Sequence, residues 1–201
     1  SFKGPEVLVK SPLLTSLEAD SPQSELDVFL QRSGDQWQIG IADILQPIDD
    51  LSEILNWNFG ATARVQVSLS KRSENRVRAG ETFRLDIEVP NGTIGFLSIF
   101  NIYSDGRLTV VMENQAIHQG QITYPSSPYI LTASTLDNRE ADQDTYLVVI
   151  TSKKARSVTQ FRKTDSDTIK GEKSYVLHKF INWLDRQSVL MMSALNVEIV
   201  S

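Results

Sequence analysis

The chain has 201 residues, of which 40% are hydrophobic and 22% are charged, values typical of soluble globular proteins. The formal net charge of −5 gives no long-range attraction for a phosphate backbone, so nucleic acid is not expected as a partner. The absence of cysteine excludes disulfides, thiolate nucleophiles, zinc–thiolate sites and iron–sulfur clusters. No stretch approaches the ~20 consecutive apolar residues of a membrane helix, so no direct membrane span is expected.

The first 60 residues are predicted to contribute short strands and one helix. Residues 6–9 and 27–41 predict three short strands, the last two joined by a turn at residues 33–35. Residues 47–57 predict an amphipathic helix, because Pro47 suits a first turn and apolar residues follow at helical spacing, at Ile48, Leu51, Ile54 and Leu55. The sequence leaves open whether this segment belongs to the same domain as the rest.

Residues 61–153 predict a β domain, because their dominant period is two, which is typical of strands with one buried face. Residues 94–103 are apolar on both parities, which predicts a central strand covered on both faces. Asp105-Gly106 then predicts a tight hairpin turn before a strand that starts at Leu108. The residues expected in the core are Leu85, Ile87, Leu97, Ile99, Phe100, Val110, Val148 and Ile150.

The C-terminal quarter predicts a polar loop at residues 154–171, followed by a helix and a last strand. In the predicted helix, residues 172–187, one stripe is apolar and must be covered: Val176, Leu177, Phe180, Ile181 and Leu184. Alternation returns at residues 195–200. The fold class expected is therefore mainly β (α+β), an antiparallel β-sandwich with two peripheral amphipathic helices.

Two groups of side chains are candidates for a metal or acid–base site. The two histidines, His118 and His178, lie 60 positions apart without a metal-binding spacing, which favours ordinary packing or surface positions. Four acids in eight residues could hold calcium, but they lack the spacing of a calcium loop and favour a solvated connection between strands: Asp137, Glu140, Asp142 and Asp144. No metal, cofactor or catalytic residue is therefore assigned.

Two other groups are candidates for a binding surface. The one basic cluster favours a solvated loop, although it could meet a phosphate or an acidic partner: Lys153, Lys154, Arg156, Arg162 and Lys163, with Phe161 among them. Large aromatic rings could line a sugar- or peptide-binding face but more often fill the core: Trp37, Trp57, Trp183, Tyr103, Tyr124 and Tyr129. Asn91-Gly92-Thr93 matches a glycosylation sequon, yet Asn-Gly after a strand indicates a turn first.

Residues 63 to about 153 resemble the bacterial domain of unknown function 4384 family. The resemblance rests on four stretches in order: ARVQVSL, RVRAGETFRLDIEV, GFLSIFNIYSDGRLTVVMEN and DTYLVVITSKK. Members commonly have proline before the asparagine that follows the hairpin, where this chain has Glu113-Asn114. The resemblance implies a β-sandwich-like accessory module, often attached to caspase-like peptidases, kinases or envelope proteins, and it carries no catalytic residue.

Together these observations predict a non-catalytic binding or accessory module of a larger bacterial protein or envelope assembly. A protein partner is expected, and the resemblance favours the periplasm or cell envelope over the cytoplasm. Motifs for activated serine nucleophiles, phosphate-cradling loops and dinucleotide binding are absent. Two alternatives stay open: a hydrolase that uses carboxylates, since 25 acids could pair in space, and a carbohydrate-binding β-sandwich.

Overall fold

The structure is a computed structural model, and it describes the chain in segments. Three N-terminal strands are described by their backbone, at residues 28–33, 36–41 and 44–48. Side chains are described for residues 65–104, 107–118, 120–136, 139–157, 180, 183–184 and 186–201. Within these residues the fold is mainly β with antiparallel sheets, as the periodicity predicts. No helix long and apolar enough to cross a membrane occurs among them.

The N-terminal strands form an antiparallel sheet of their own. Strands β1 (Val28–Ser33), β2 (Gln36–Ile41) and β3 (Ile44–Ile48) follow each other in the order β1-β2-β3. The predicted pair of strands on either side of residues 33–35 is confirmed, with Ser33 opposite Gln36. The start predicted for the first helix is wrong, because Pro47 and Ile48 belong to β3. β3 lies at the edge of the described sheet, which is where strands tolerate proline.

The middle of the chain forms two small antiparallel sheets. The first has the order β10-β7-β4 and consists of β4 (Gln66–Leu69), β7 (Leu85–Glu88) and β10 (Gln121–Tyr124). The second pairs β6 (Thr82–Phe83) with β11 (Leu131–Thr132). These short strands carry the clearest alternation of the sequence; in β7, Leu85 and Ile87 are buried while Asp86 and Glu88 are partly or fully exposed. One face of this layer therefore meets a core.

The largest sheet has five strands in the order β5-β13-β12-β8-β9. These strands are β5 (Arg76–Arg78), β8 (Phe96–Ile102), β9 (Leu108–Ala116), β12 (Ala141–Thr151) and β13 (Val189–Val200). All described pairs in it are antiparallel except β5 with β13, which run parallel. The predicted C-terminal strand therefore lies inside the sheet, between β12 and the short β5.

Side chains from the small sheets and from the five-stranded sheet share one hydrophobic core. Seven of the eight residues predicted in the core are fully buried, six of them in this shared core: Leu85, Ile87, Leu97, Ile99, Val148 and Ile150. The seventh, Phe100, is buried on the other face of the five-stranded sheet. The eighth, Val110, is only half-buried, because it lies on β9 at the edge of the sheet. At roughly 1.5 to 3 kcal/mol for each fully buried aliphatic or aromatic side chain, this core is the main stabilising element of the described fold.

The opposite face of the five-stranded sheet is covered by residues of the second predicted helix. Phe180, Trp183 and Leu184 are helical, and all three are buried. The rings of Phe180 and Trp183 have centroids 4.7 Å and 5.7 Å from that of Phe100 on β8. Phe180 and Leu184 therefore lie on a buried face, as the apolar stripe predicts, while the helix has ended before Arg186, which forms a turn.

Two of the four acids predicted to lie in a solvated connection, Asp142 and Asp144, are not solvent-exposed. Strand β12 begins at Ala141, so Asp142 and Asp144 lie in the sheet, and each is only 7% exposed. The reason is that both carboxylates have hydrogen-bond donors within reach, which composition does not reveal.

Several predicted features lie outside the described residues. These are the strand at residues 6–9, the helix from residue 49 to 57, Asp105-Gly106, Asp137, and the span 158–179 with its loop and most of the second helix. The two strands of the hairpin predicted around Asp105-Gly106 are confirmed. β8 and β9 pair antiparallel, and the Tyr103 N–H donates to the Arg107 carbonyl at 2.9 Å.

Candidate functional site

An open polar depression of about 600 Å³ lies where β5 joins β13. Glu74, Asn75 and Arg76 reach it from the start of β5, and Gln143 reaches it from β12. The rest of its lining comes from one stretch of β13: Ala194, Leu195, Asn196 and Glu198. The parallel pairing of β5 with β13, which sets Arg76 opposite Glu198, brings these distant parts of the chain together.

Two of the three charged residues that line the depression form an ion pair. Arg76 Nε donates to Glu198 Oε2 at 2.7 Å, and both side chains remain about half exposed to solvent. The hydrogen bond and the negative charge of Glu198 raise the pKa of the Arg76 guanidinium. Because the pair faces water, it orders the surface more than it stabilises the fold.

A buried amide lies beside this ion pair. Asn196 is 9% exposed, and its Oδ1 accepts a hydrogen bond of 2.7 Å from the Thr145 hydroxyl. Its Nδ2 is buried and has no hydrogen-bond partner within the part of the chain that the structure describes. A buried amide donor without a partner is uncommon in folded proteins. The depression therefore combines one ion pair, several amides and one unused donor.

Two of the four acids weighed as calcium ligands, Asp142 and Asp144, accept hydrogen bonds within the fold. Asp142 Oδ2 accepts from the backbone N–H of Leu136 at 2.8 Å, and its Oδ1 accepts from the N–H of Gln143 at 2.9 Å. Asp144 Oδ2 accepts from Asn101 Nδ2 at 3.1 Å. The described residues contain no cluster of three or more groups suited to a metal ion, and Glu140 is exposed.

The described members of the histidine pair and of the basic cluster do not line the depression. His118 is exposed, and His178 lies outside the described residues. Lys153, Lys154 and Arg156 are exposed, and the Lys154 ammonium lies 5.8 Å from the centre of the Phe96 ring. The other members of the cluster, Phe161, Arg162 and Lys163, lie outside the described residues.

The aromatic residues do not form a flat binding face in the described part of the chain. Trp183 is buried against Phe100, and the half-buried Tyr124 donates its hydroxyl proton to the Val111 carbonyl at 3.0 Å. Tyr103 is half-buried, with Arg107 5.2 Å from its ring centre. Tyr129 is 71% exposed, and none of these four rings lines the depression. The Trp37 side chain and all of Trp57 lie outside what is described.

Sequence reasoning missed the depression entirely. Arg76 and Glu198 are 122 positions apart, and β5 has only three residues, too few to show an alternating pattern. A polar residue at an even position of β13, such as Asn196, looks like any solvent-facing residue of a half-exposed strand. No signal in the sequence would have joined these residues.

Comparison with known proteins leaves the family open. Family models, curated proteins and solved structures were compared with the chain, and none of them matches. Function therefore rests on the geometry of the chain's own residues.

Proposed function

We propose that this chain is a non-catalytic binding or accessory module of a larger bacterial protein or envelope assembly, and that the depression between β5 and β13 is its contact surface for a protein partner. The observation that supports this most is the Arg76–Glu198 pair, a 2.7 Å contact that holds two charged groups in fixed positions on an open, polar surface.

The composition of the depression suits recognition by hydrogen bonds. Asn75 and Gln143 add amide groups that both donate and accept, next to the Arg76 guanidinium with its planar set of donors. Arg76, Gln143 and Asn196 are carried by strands of the sheet, which limits the entropy lost when a partner orders them. Such a surface suits the polar atoms of a protein segment better than an apolar ligand.

The same contacts disfavour the hydrolase alternative. A hydrolase that uses carboxylates needs two acidic side chains on either side of the bond to be cleaved, and the surroundings must keep one of them protonated. Here Glu198 is bound to Arg76, and Asp142 and Asp144 accept hydrogen bonds within the fold. Glu74 is the remaining acid in the described lining of the depression, and no second carboxylate there is available to act with it.

The carbohydrate-binding alternative is also less well supported. Sugar-binding sandwiches commonly present rings on which a pyranose face packs, and the depression has no aromatic residue in its described lining. Tyr129 is highly exposed, but a single ring apart from the depression offers no such platform.

We also propose the finer fold and location that the resemblance implies: an antiparallel β-sandwich placed in the periplasm or cell envelope. The core shared by the small sheets and the five-stranded sheet supports the sandwich, because two sheets that bury side chains against each other are its defining feature. The resemblance to the domain of unknown function 4384 family supports the accessory role.

The test is affinity purification from the native host with the full chain as bait, followed by calorimetric titration of the recovered partner. Two single variants, Arg76→Glu and Glu198→Arg, should each weaken binding, because each places two like charges together at the contact surface. The double variant restores the ion pair with its charges exchanged, so it should fold normally and still bind weakly.

Lys153→Glu is the matched control, because it reverses an exposed charge outside the depression and should leave the affinity unchanged. Recovery of no stable partner would contradict the binding role. A partner that binds the unchanged protein and all three depression variants with the same affinity would contradict the placement of the contact surface at the depression.

A further inference from the structure

The turn between β7 and β8 places an exposed asparagine before a glycine in a tight turn. Thr93 closes the turn on the Pro90 carbonyl, with its backbone N–H at 3.2 Å and its hydroxyl at 2.7 Å. Gly92 has φ +80°, a left-handed conformation that glycine adopts without strain. Asn91 and Gly92 are both exposed. The turn predicted from Asn-Gly is therefore present.

The backbone nitrogen of Gly92 is available as a nucleophile. Its N–H donates no hydrogen bond to another residue in the described part of the chain, because the N–H that closes the turn is that of Thr93. Gly92 has no side chain to shield the nitrogen, and nothing lies within 4 Å of the position that a Cβ would occupy. Both Asn91 and Gly92 are exposed, so solvent base has access to this nitrogen, which directly follows Asn91 along the chain.

We propose that Asn91 is a site of spontaneous deamidation in the folded protein. Solvent base removes the Gly92 N–H proton, and the nitrogen attacks Asn91 Cγ. A new N–C bond forms, the bond from Cγ to the amide nitrogen breaks, and ammonia leaves with the proton it needs. Water then opens the cyclic imide at either carbonyl, giving aspartate or isoaspartate; the sum is Asn plus water to Asp or isoAsp plus ammonia.

The conversion changes a defined part of the fold. Asn91 Oδ1 lies beside Gly120, where an added Cβ would come within 3.0 Å of it, and the Gly120 carbonyl accepts from Val89 N at 2.6 Å. Deamidation therefore adds one negative charge next to the end of the β7–β10 pair. In the isoaspartyl product the backbone runs through the former side chain, which is one carbon longer, so the two bonds from Thr93 to Pro90 cannot both be kept.

The test is incubation of the full, folded chain in mildly alkaline buffer at physiological temperature, with samples taken over days. Peptide mapping by mass spectrometry reports conversion at each asparagine, and electron-based fragmentation separates aspartate from isoaspartate. Two internal controls share the same molecule. Asn75 is exposed but precedes Arg76, and the amide of Asn114 is held by the backbone of Ala155.

The expected result is that Asn91 converts first, with a rate that rises with pH, and that a second band one charge more acidic appears on isoelectric focusing. Asn75 and Asn114 should stay intact over the same time, and Asn91→Gln should abolish the acidic band. Conversion of Asn75 at the rate of Asn91 would overturn the proposal. So would conversion of Asn91 only in denaturant, because it would show that the folded turn protects the site. Neither outcome bears on partner binding at the depression.

Discussion

Asn114 pairs with Ala155 through both ends of its side-chain amide. Its Oδ1 accepts from the Ala155 N–H at 2.7 Å, and its Nδ2 donates to the Ala155 carbonyl at 3.1 Å. Asn114 has φ +53° and lies where the β8–β9 register shifts, and its own N–H donates to the Ser98 hydroxyl at 3.0 Å. One bulge residue thus joins the edge of the sheet to the segment that leaves β12, which gives a structural reason for asparagine here.

Replacing Asn114 with alanine should therefore cost roughly 2 to 3 kcal/mol, because both polar groups of the buried Ala155 lose their partners. Urea denaturation measures the free energy of unfolding. Asn114→Gly is the matched control: it also removes the amide but adopts positive φ freely, so it should lose less than the alanine variant. Equal stability of the alanine variant and the unchanged protein would show that the pairing contributes nothing.

Phe180 anchors the second helix, and Phe180→Ala should cost about 3 to 5 kcal/mol in the isolated protein. The side chain is fully buried, and its ring contacts both Phe100 and Trp183. The comparison variant is Ile94→Ala, since Ile94 is 86% exposed and its loss should change stability by less than about 0.5 kcal/mol. A cost for Phe180→Ala below about 1 kcal/mol would mean that the helix does not dock within the chain.

Features set by residues close together in the sequence could be predicted, whereas features that depend on contacts between residues far apart in the sequence could not. Alternation located β7, and a run that is apolar on both parities located β8, because the burial of one or both faces of a strand is a local property of the pattern. Asp142 and Asp144 were misjudged because a carboxylate can enter a strand when donors meet it, and the donor to Asp144 is Asn101, 43 positions away. The depression was beyond reach for the same reason, since it depends on the parallel pairing of β5 with β13.

Asp142 should be a structural residue and not a calcium ligand. Asp142→Ala removes the acceptor for Leu136 N–H and should cost about 1 to 3 kcal/mol, while Asp142→Asn, which keeps one acceptor oxygen, should cost less. Glu140→Ala, at an exposed position nearby, is the control. Thermal unfolding with and without added calcium completes the experiment. A rise in melting temperature with calcium that Asp142→Ala abolishes would restore the calcium hypothesis.

Tyr146 should limit stability at alkaline pH. Burial, followed by the nearby negative charge of Asp144, raises the pKa of its hydroxyl far above the usual value. In the unfolded chain a tyrosine ionises near pH 10, so its contribution is complete below about pH 10 and is lost above it, at roughly 1.4 kcal/mol for each pH unit. Tyr146→Phe cannot ionise and should lose less stability than the unchanged protein between neutral pH and pH values above 10.

The control is Tyr129→Phe, which removes an exposed hydroxyl and should show the same loss of stability with pH as the unchanged protein. Denaturation curves recorded across this range decide the matter: parallel losses in Tyr146→Phe and in the unchanged protein would show that the buried hydroxyl does not control alkaline unfolding.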